Sequence, residues 1–170
     1  MPHLQSRRIG LHNVYSNISL PDSLAIVNDD SIHGAGLVVT RSLRCGELIL
    51  PLFGKLTARS YRTIQIDIGK HLDGALIRFI NHSCRPTSIV NVRIQGVLAA
   101  LDLKAGDEVT FFYPSTEWKM ARPFNCLCNA PECIGFVGGA RYLSVGVLSR
   151  YFINSHIQYV VGHKPSTHWT

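Results

Sequence analysis

Charge is scarce in this sequence: Asp, Glu, Lys and Arg make up 16% of its 170 residues, and no basic run exceeds two. That excludes an extended charged tail or a charge-laced coiled coil, both of which need a denser supply. Long apolar runs are missing too. The longest, such as LILPLF, fall far below the ~20 residues of a bilayer-spanning helix, so no membrane association is expected. The opening stretch MPHLQSRRIGLHNVYS has no apolar h-region, so the expectation is a cytoplasmic or nuclear protein, not a secreted one. Internal repeats and low-complexity segments are also absent, which excludes solenoids and propellers.

What is present fits a compact globular chain. With 46% hydrophobic residues it can bury ~70% of the surface its unfolded form exposes, so its main core needs no staple. The net charge of +6 comes from scattered pairs: Arg7 and Arg8, Arg41 and Arg44, Arg59 and Arg62, Lys119 and Arg122. These read as a solvated basic surface, and no direct nucleic-acid partner is expected. Five cysteines without an export signal argue for reduced thiols, and for metal binding over disulfides.

The pattern is mainly β. SLAIVNDD reads as a strand ending in an Asn-Asp-Asp turn, and GAGLVVTRSL resumes after glycines. CGELILPLFGKLT reads as a short strand pair bounded by Gly46 and Gly54. In YRTIQIDIG the alternation places Ile64, Ile66 and Ile68 on one face of a half-buried strand. GALIRFINHSC suggests a short helix running into a loop. TSIVNVRIQGVLAALDLKAGDEVTFFY then suggests strand, Gly96 turn, strand, LKAGDE turn and a last strand. After a polar link, PSTEWKMARP, the segment SVGVLSRYFINSHIQYVV carries Val147, Leu148, Tyr151 and Phe152 at helical spacing, with Ser144 or Asn154–Ser155 as caps. It is expected to dock as a helix on the β core.

Two stretches carry chemistry. FNCLCNAPECIGF packs Cys126, Cys128 and Cys133 into a C-x-C-x4-C knuckle. Thiolates so spaced converge on one tetrahedral ion, and Gly135 gives the chain freedom to wrap tightly. A closed zinc site needs a fourth ligand, which the spacing leaves open among Cys84, Cys45 and a histidine. The second stretch is RFINHSCRP, where Asn81, His82 and Ser83 by themselves read as turn formers.

Taken together, the sequence resembles the SET-domain family of S-adenosylmethionine-dependent lysine methyltransferases. IHGAGLVVTRSLRCGELIL is similar to the family's opening glycine motif, and RFINHSC to its signature. LKAGDEVTFFY is similar to the motif ending in the catalytic tyrosine, and FNCLCNAPECIG to the post-SET zinc motif. The four stand in family order. The resemblance implies a β-clip of small curved sheets with a C-terminal pseudoknot, a zinc knuckle and a C-terminal helix. The expected division is an arm over 1–20, a SET domain over 21–115, the knuckle over 116–140 and a helical extension over 141–170.

The resemblance also implies roles. Cys84 becomes the fourth zinc ligand, leaving Cys45 unassigned. His33, Gly34, Ala35 and Gly36 match the loop that receives the methionine end of the cofactor, and Asn81 and His82 the pair that binds its amino-acid part and adenine. Leu127 matches a residue covering the adenine, and Tyr61 a tyrosine near cofactor and acceptor channel. Tyr113 matches the catalytic tyrosine. The implied reaction is in-line methyl transfer to a neutral amine, which a lysine of pKa ~10.4 becomes only after losing a proton. Burial beside a sulfonium favours the neutral form, and the site's main task is orientation.

Departures from the family pattern shape the substrate question. Phe112 stands where an Asp is usual, Thr87 where an Asn is usual, and Ala35 where many relatives carry Arg. Only 16 residues separate Tyr61 from Arg78, and no cysteine-rich pre-SET segment precedes the motifs. The expected acceptor is a lysine of a histone or non-histone protein. The alternatives are a small-molecule amine, favoured by the short insert and by a basic surface that would repel basic tails, and a non-catalytic protein-binding module.

Overall fold

The structure, a computed structural model, describes residues 19–28, 34–128 and 130–163. Among them, twelve short strands make five small sheets. Strands β1 (Leu24–Asn28) and β2 (Ala35–Val39) pair antiparallel, so the stretch read as strand, turn and strand is a hairpin. A three-stranded sheet has the order β3 (Leu48–Pro51), β9 (Gly96–Ala99), β8 (Ser88–Asn91). Another has the order β4 (Lys55–Thr57), β6 (Lys70–Asp73), β5 (Ile64–Asp67). The expected strand pair around Gly46–Gly54 is therefore two strands that part into different sheets. The remaining sheets are two-stranded: β7 (Asn81–His82) with β10 (Thr110–Phe111), and β11 (Phe124–Asn125) with β12 (Phe136–Val137).

One core joins the sheets, built from residues such as Leu37, Val90, Val97, Leu103 and Val109, each almost fully buried. The alternation expected over Ile64, Ile66 and Ile68 holds at its start and fails at its end. Ile64 is buried, Ile68 is 55% exposed, and Gln65 is buried between them. Gln65 is inside because its amide is used: Nε2 donates to the Asp67 carbonyl at 3.1 Å, and Oε1 accepts from Trp118 N at 3.0 Å. The turn expected at Gly96 lies just before it. Gln95 takes the left-handed φ of 52°, while Gly96 begins β9 where a Cβ would meet Leu48 Cδ1 at 2.7 Å.

The pairing that builds the site is β7 with β10, the parallel pair, in the register Asn81–Thr110 and His82–Phe111. Two residues of ladder hold little by themselves, and side chains supplement them. Thr87 Oγ1 donates to the Glu108 carbonyl at 2.7 Å and accepts from Thr110 N at 2.9 Å, while Ser88 Oγ donates to the Thr110 carbonyl at 2.9 Å. Thr87, at the usual Asn position, thus laces the run after Cys84 to the strand that leads into Tyr113.

The C-terminal segment is two helices rather than one. Helix α1 (Val145–Leu148) is capped by Ser144, whose side chain accepts from Val147 N at 3.2 Å. Helix α2 (Ser155–Gly162) follows Asn154, whose side chain caps nothing. Instead its Oδ1 accepts from Val92 N at 3.0 Å and its Nδ2 donates to the carbonyls of Val90 (2.9 Å) and Ser115 (3.0 Å). Among the described residues, no helix is long and apolar enough to cross a membrane.

A second, smaller core seats this segment: Phe112, Ala140, Leu148 and Ile157 are buried, with Trp118 and Tyr151 against them. Phe112 stacks on Tyr151 with ring centroids 3.6 Å apart and planes within 5°. The departure at Phe112 is therefore a packing feature, in which an aromatic ring replaces a carboxylate to dock the extension. Phe112→Ala is expected to cost about 3–5 kcal/mol through the cavity it leaves. Denaturant melts would read that loss directly, and an unchanged midpoint would show that Phe112 does not seat the extension.

Candidate active site

Asn81, the first residue of β7, turns its amide toward the hairpin. Nδ2 donates to Glu108 Oε1 at 2.8 Å and reaches the Ala35 carbonyl at 3.5 Å. Gly36 lies against the same pair: a Cβ there would stand 2.9 Å from Glu108 Oε1 and 3.3 Å from Asn81 Nδ2. Gly34 has φ +73°, a conformation that only glycine adopts cheaply. The glycine pattern thus has two separate causes, backbone conformation at Gly34 and close approach at Gly36.

His82 is held from both ring nitrogens. Nδ1 accepts from Tyr113 N at 3.3 Å, which leaves the proton on Nε2, 3.3 Å from Cys84 Sγ. Burial lowers its pKa to about 4, so the ring is neutral. Tyr113 lies edge-on to His82 and Phe124, with centroids 5.3 and 6.1 Å away, and 4.8 Å from Phe111. Its hydroxyl donates to the Ile80 carbonyl at 3.0 Å. Burial, reinforced by the charges of Glu108 and Glu117, pushes the phenol above its ordinary range and keeps it protonated.

Two cavities meet at this tyrosine. The larger, of about 710 Å³, is lined by Gly34, Gly36, Asn81, His82 and Glu108, and on its other side by Asn125, Cys126 and Cys128. The smaller, of about 200 Å³, has apolar walls of Ile64, Ile77, Ile80 and Phe111, with Tyr61 and Glu117 also lining it. Tyr113, Arg122 and Phe124 line both. One broad chamber and one smaller, mainly apolar channel therefore share a wall containing a protonated phenol.

The cysteines converge as a metal site requires. The sulfurs of Cys84, Cys126, Cys128 and Cys133 all lie within 4.8 Å of one another, and Cys84 Sγ is 3.9 Å from Cys126 Sγ. An ion ~2.3 Å from four tetrahedral thiolates sets them about 3.8 Å apart, so the donor set fits zinc. Burial pushes the Cys84 thiol up, so a thiolate there needs a neighbouring cation. Cys45 is exposed and outside the group, its Sγ bonded to the Ala100 carbonyl at 3.3 Å. Arg85 and Glu132 form an ion pair at 3.2 Å between the Cys84 run and the knuckle.

Of the residues expected in the site, Gly34, Gly36, Asn81, His82 and Tyr113 line the larger cavity. Ala35 sits in β2, half-buried, with its carbonyl toward Asn81. Tyr61 lines the channel and is 71% exposed. His33 lies outside the described residues, as does most of the arm over 1–20. Leu127 is 55% exposed and not part of the cavity wall, where the neighbouring Phe124 and Asn125 stand instead.

Sequence reasoning missed Phe124, Arg122 and Glu117. Phe124 could have been found as the residue opening the knuckle strand. For Glu117 the one signal was its being the lone acid in a link whose other charges, Lys119 and Arg122, are basic.

Comparison with known proteins agrees with this geometry. Residues 34–114 match the family model described as SET domain. Methyltransferase flvH of Aspergillus flavus is 32% identical over 154 residues, covering 88% of this chain and 86% of that protein. The chain belongs to the SET-domain methyltransferase family. Within it, the H3 lysine-36 specific histone-lysine N-methyltransferase of Saccharomyces cerevisiae is 38% identical over 74 residues. That match covers 40% of this SET-domain chain and only 10% of the yeast protein. KRYPTONITE, solved in complex with mCHG DNA and SAH, has the same fold with a TM-score of 0.54 at 19% identity. The superposition covers 66% of this chain and 28% of that one.

Proposed function

We propose that this SET-domain protein is an N-methyltransferase that takes a methyl group from S-adenosylmethionine in the larger cavity and gives it to a neutral amine in the smaller channel. The carrying observation is that the two cavities meet at Tyr113. When bound, the cofactor supplies an electrophilic methyl on a sulfonium. Gly34, Gly36, Asn81 and His82 would hold it, and zinc on Cys84, Cys126, Cys128 and Cys133 would fix the wall that Asn125 and Phe124 contribute. The Tyr113 hydroxyl and the Ile80 carbonyl, already bonded to each other, offer polar atoms that align the acceptor. Apolar walls disfavour a charged ammonium and favour the nucleophilic amine.

The acceptor fits a lysine side chain, whose slim apolar stem suits a channel walled by isoleucines. The histone-lysine methyltransferases among the relatives support that reading, and with it a nuclear or cytoplasmic setting. A small-molecule amine is the second reading. It is favoured by the match to methyltransferase flvH, which covers 88% of this chain, where the histone-lysine enzyme of Saccharomyces cerevisiae covers 40%. A non-catalytic module loses its one sequence argument, since Phe112 is used for packing and the Tyr113 wall is complete.

Label from the methyl of S-adenosylmethionine should pass to a cell extract, and sorting it into protein and small-molecule fractions identifies the acceptor class. Calorimetry showing no cofactor binding overturns the proposal.

A further inference from the structure

Glu117 is the acidic residue lining the channel, and neither the motifs nor the family resemblance gives it a task. It is 6% exposed, four residues after Tyr113, and its backbone N–H donates to the Tyr113 carbonyl at 3.0 Å. Its carboxyl is fixed from β5: Oε1 accepts from Gln65 N at 2.5 Å. The neighbouring Trp118 N returns the contact to Gln65 Oε1 at 3.0 Å, so strand and turn are clamped twice. A buried carboxylate with no paired cation shifts toward its neutral form, and no ion pair forms on Glu117 among the described residues.

Resting on the amine-methylation reading above, we propose that Glu117 is the proton acceptor for the incoming ammonium. The ammonium's N–H bond breaks and its proton passes to the carboxylate, leaving a neutral amine with a free lone pair. That pair forms the new C–N bond as the methyl–sulfur bond breaks and its electrons stay on sulfur. The product leaves as a methylammonium, and Glu117 returns its proton to water through the open end of the channel. Overall one proton is released per methyl transferred.

The electrostatic setting suits the task. Burial raises the Glu117 pKa to about 7, against smaller opposing effects of the Gln65 N–H, Arg59 and Thr116. The other charged and titratable groups around the channel are engaged or exposed. Arg78 is engaged by Asp73 at 3.4 Å, and Arg62 and Arg122 are exposed. Tyr113 stays protonated, and burial keeps His156, bonded to the Thr116 carbonyl at 2.9 Å, toward its neutral form. A base with a pKa near the working pH is the effective one.

The test compares wild type with Glu117→Gln, whose amide oxygen keeps the Gln65 bond, using Nα-acetyl-lysine and the label-accepting extract fraction as acceptors. At pH 7 the variant should lose on the order of 10²-fold or more in kcat/KM. Its cofactor Kd and melting temperature should match wild type. Wild-type rate should fall as pH drops through about 7, the value set for the carboxyl. The variant's deficit should shrink as pH approaches ~10.4, where the amine deprotonates in solution. A purely structural role would leave the deficit constant with pH. Equal rates across the range, or a constant deficit, overturn the proposal while the methyltransferase reading stands. No transfer by wild type to any acceptor overturns that reading and the role of Glu117 with it. Should Glu117→Gln not fold, ¹³C titration of the wild-type carboxyl decides: a midpoint near 7 supports the base, and one in the ordinary carboxylate range rejects it.

Discussion

Tyr113→Phe should reduce methyl transfer by on the order of 10²-fold or more while leaving the protein folded and able to bind its cofactor. The substitution removes one oxygen and keeps the ring among His82, Phe111 and Phe124. The backbone bond from Tyr113 N to His82 Nδ1 also survives, so β7 and its cavity wall keep their geometry. What disappears is the donor to the Ile80 carbonyl, the polar pair at the junction of the two cavities. An amine arriving there loses a partner that fixes its lone-pair direction, and misalignment at that point is paid for in kcat rather than in cofactor affinity. Calorimetry should give a cofactor Kd within about threefold of wild type, a change under 1 kcal/mol. Full transfer activity in the variant would remove Tyr113 from the reacting centre.

The parts of this site legible in the sequence are those set by residue type and local spacing. The C-x-C-x4-C knuckle constrains chemistry by its spacing alone, whereas the glycines flanking Ala35 and the Asn-His-Ser-Cys run gained their roles only through the family resemblance. Short strands bounded by glycine turns were legible for the same reason, and Gly106 with φ +95° in LKAGDE is such a turn. What was not legible depends on partners far away in sequence. The apolar face expected over Ile64–Ile68 ends early because β5 closes at Asp67 and Ile68 falls in the turn to β6, and Gln65 is buried on the other face because it serves Trp118 N, a contact no periodicity can reveal.

The single helix expected over 144–161 is broken for a similar reason. Asn154, which by type is a good cap, spends its side chain on Val90, Val92 and Ser115 instead. Phe112 read as a loss at the site because its compensating partner, Tyr151, lies in another segment. Glu117 read as part of a polar link because burial is a tertiary property. At Gln65, Asn154, Phe112 and Glu117 the origin is the same: long-range contacts overrode local preference.

Cys84→Ser carries the other large effect, because Cys84 joins three parts of the fold. It follows directly from β7, its sulfur lies 3.9 Å from Cys126 Sγ and accepts from Ile134 N at 3.5 Å, and its carbonyl accepts from the Tyr151 hydroxyl at 2.9 Å. A serine oxygen is shorter and stays protonated, so bound zinc should fall from one equivalent to near none by elemental analysis. Structural zinc supplies ~10–16 kcal/mol in isolated knuckles. Even ~4 kcal/mol of that, lost from a chain of this size, lowers the melting temperature by roughly 8–16 °C. Cofactor affinity should fall as well, since Asn125, Cys126 and Cys128 form one wall of the larger cavity. Chelation of the wild-type protein should reproduce both losses. Cys45→Ser should reproduce neither, because Cys45 is exposed and lies outside the cluster. A Cys84→Ser protein that keeps a full equivalent of tightly held metal would reject Cys84 as a ligand. A variant that loses the metal but binds cofactor normally would instead show that the knuckle staples the chain without shaping the cavity.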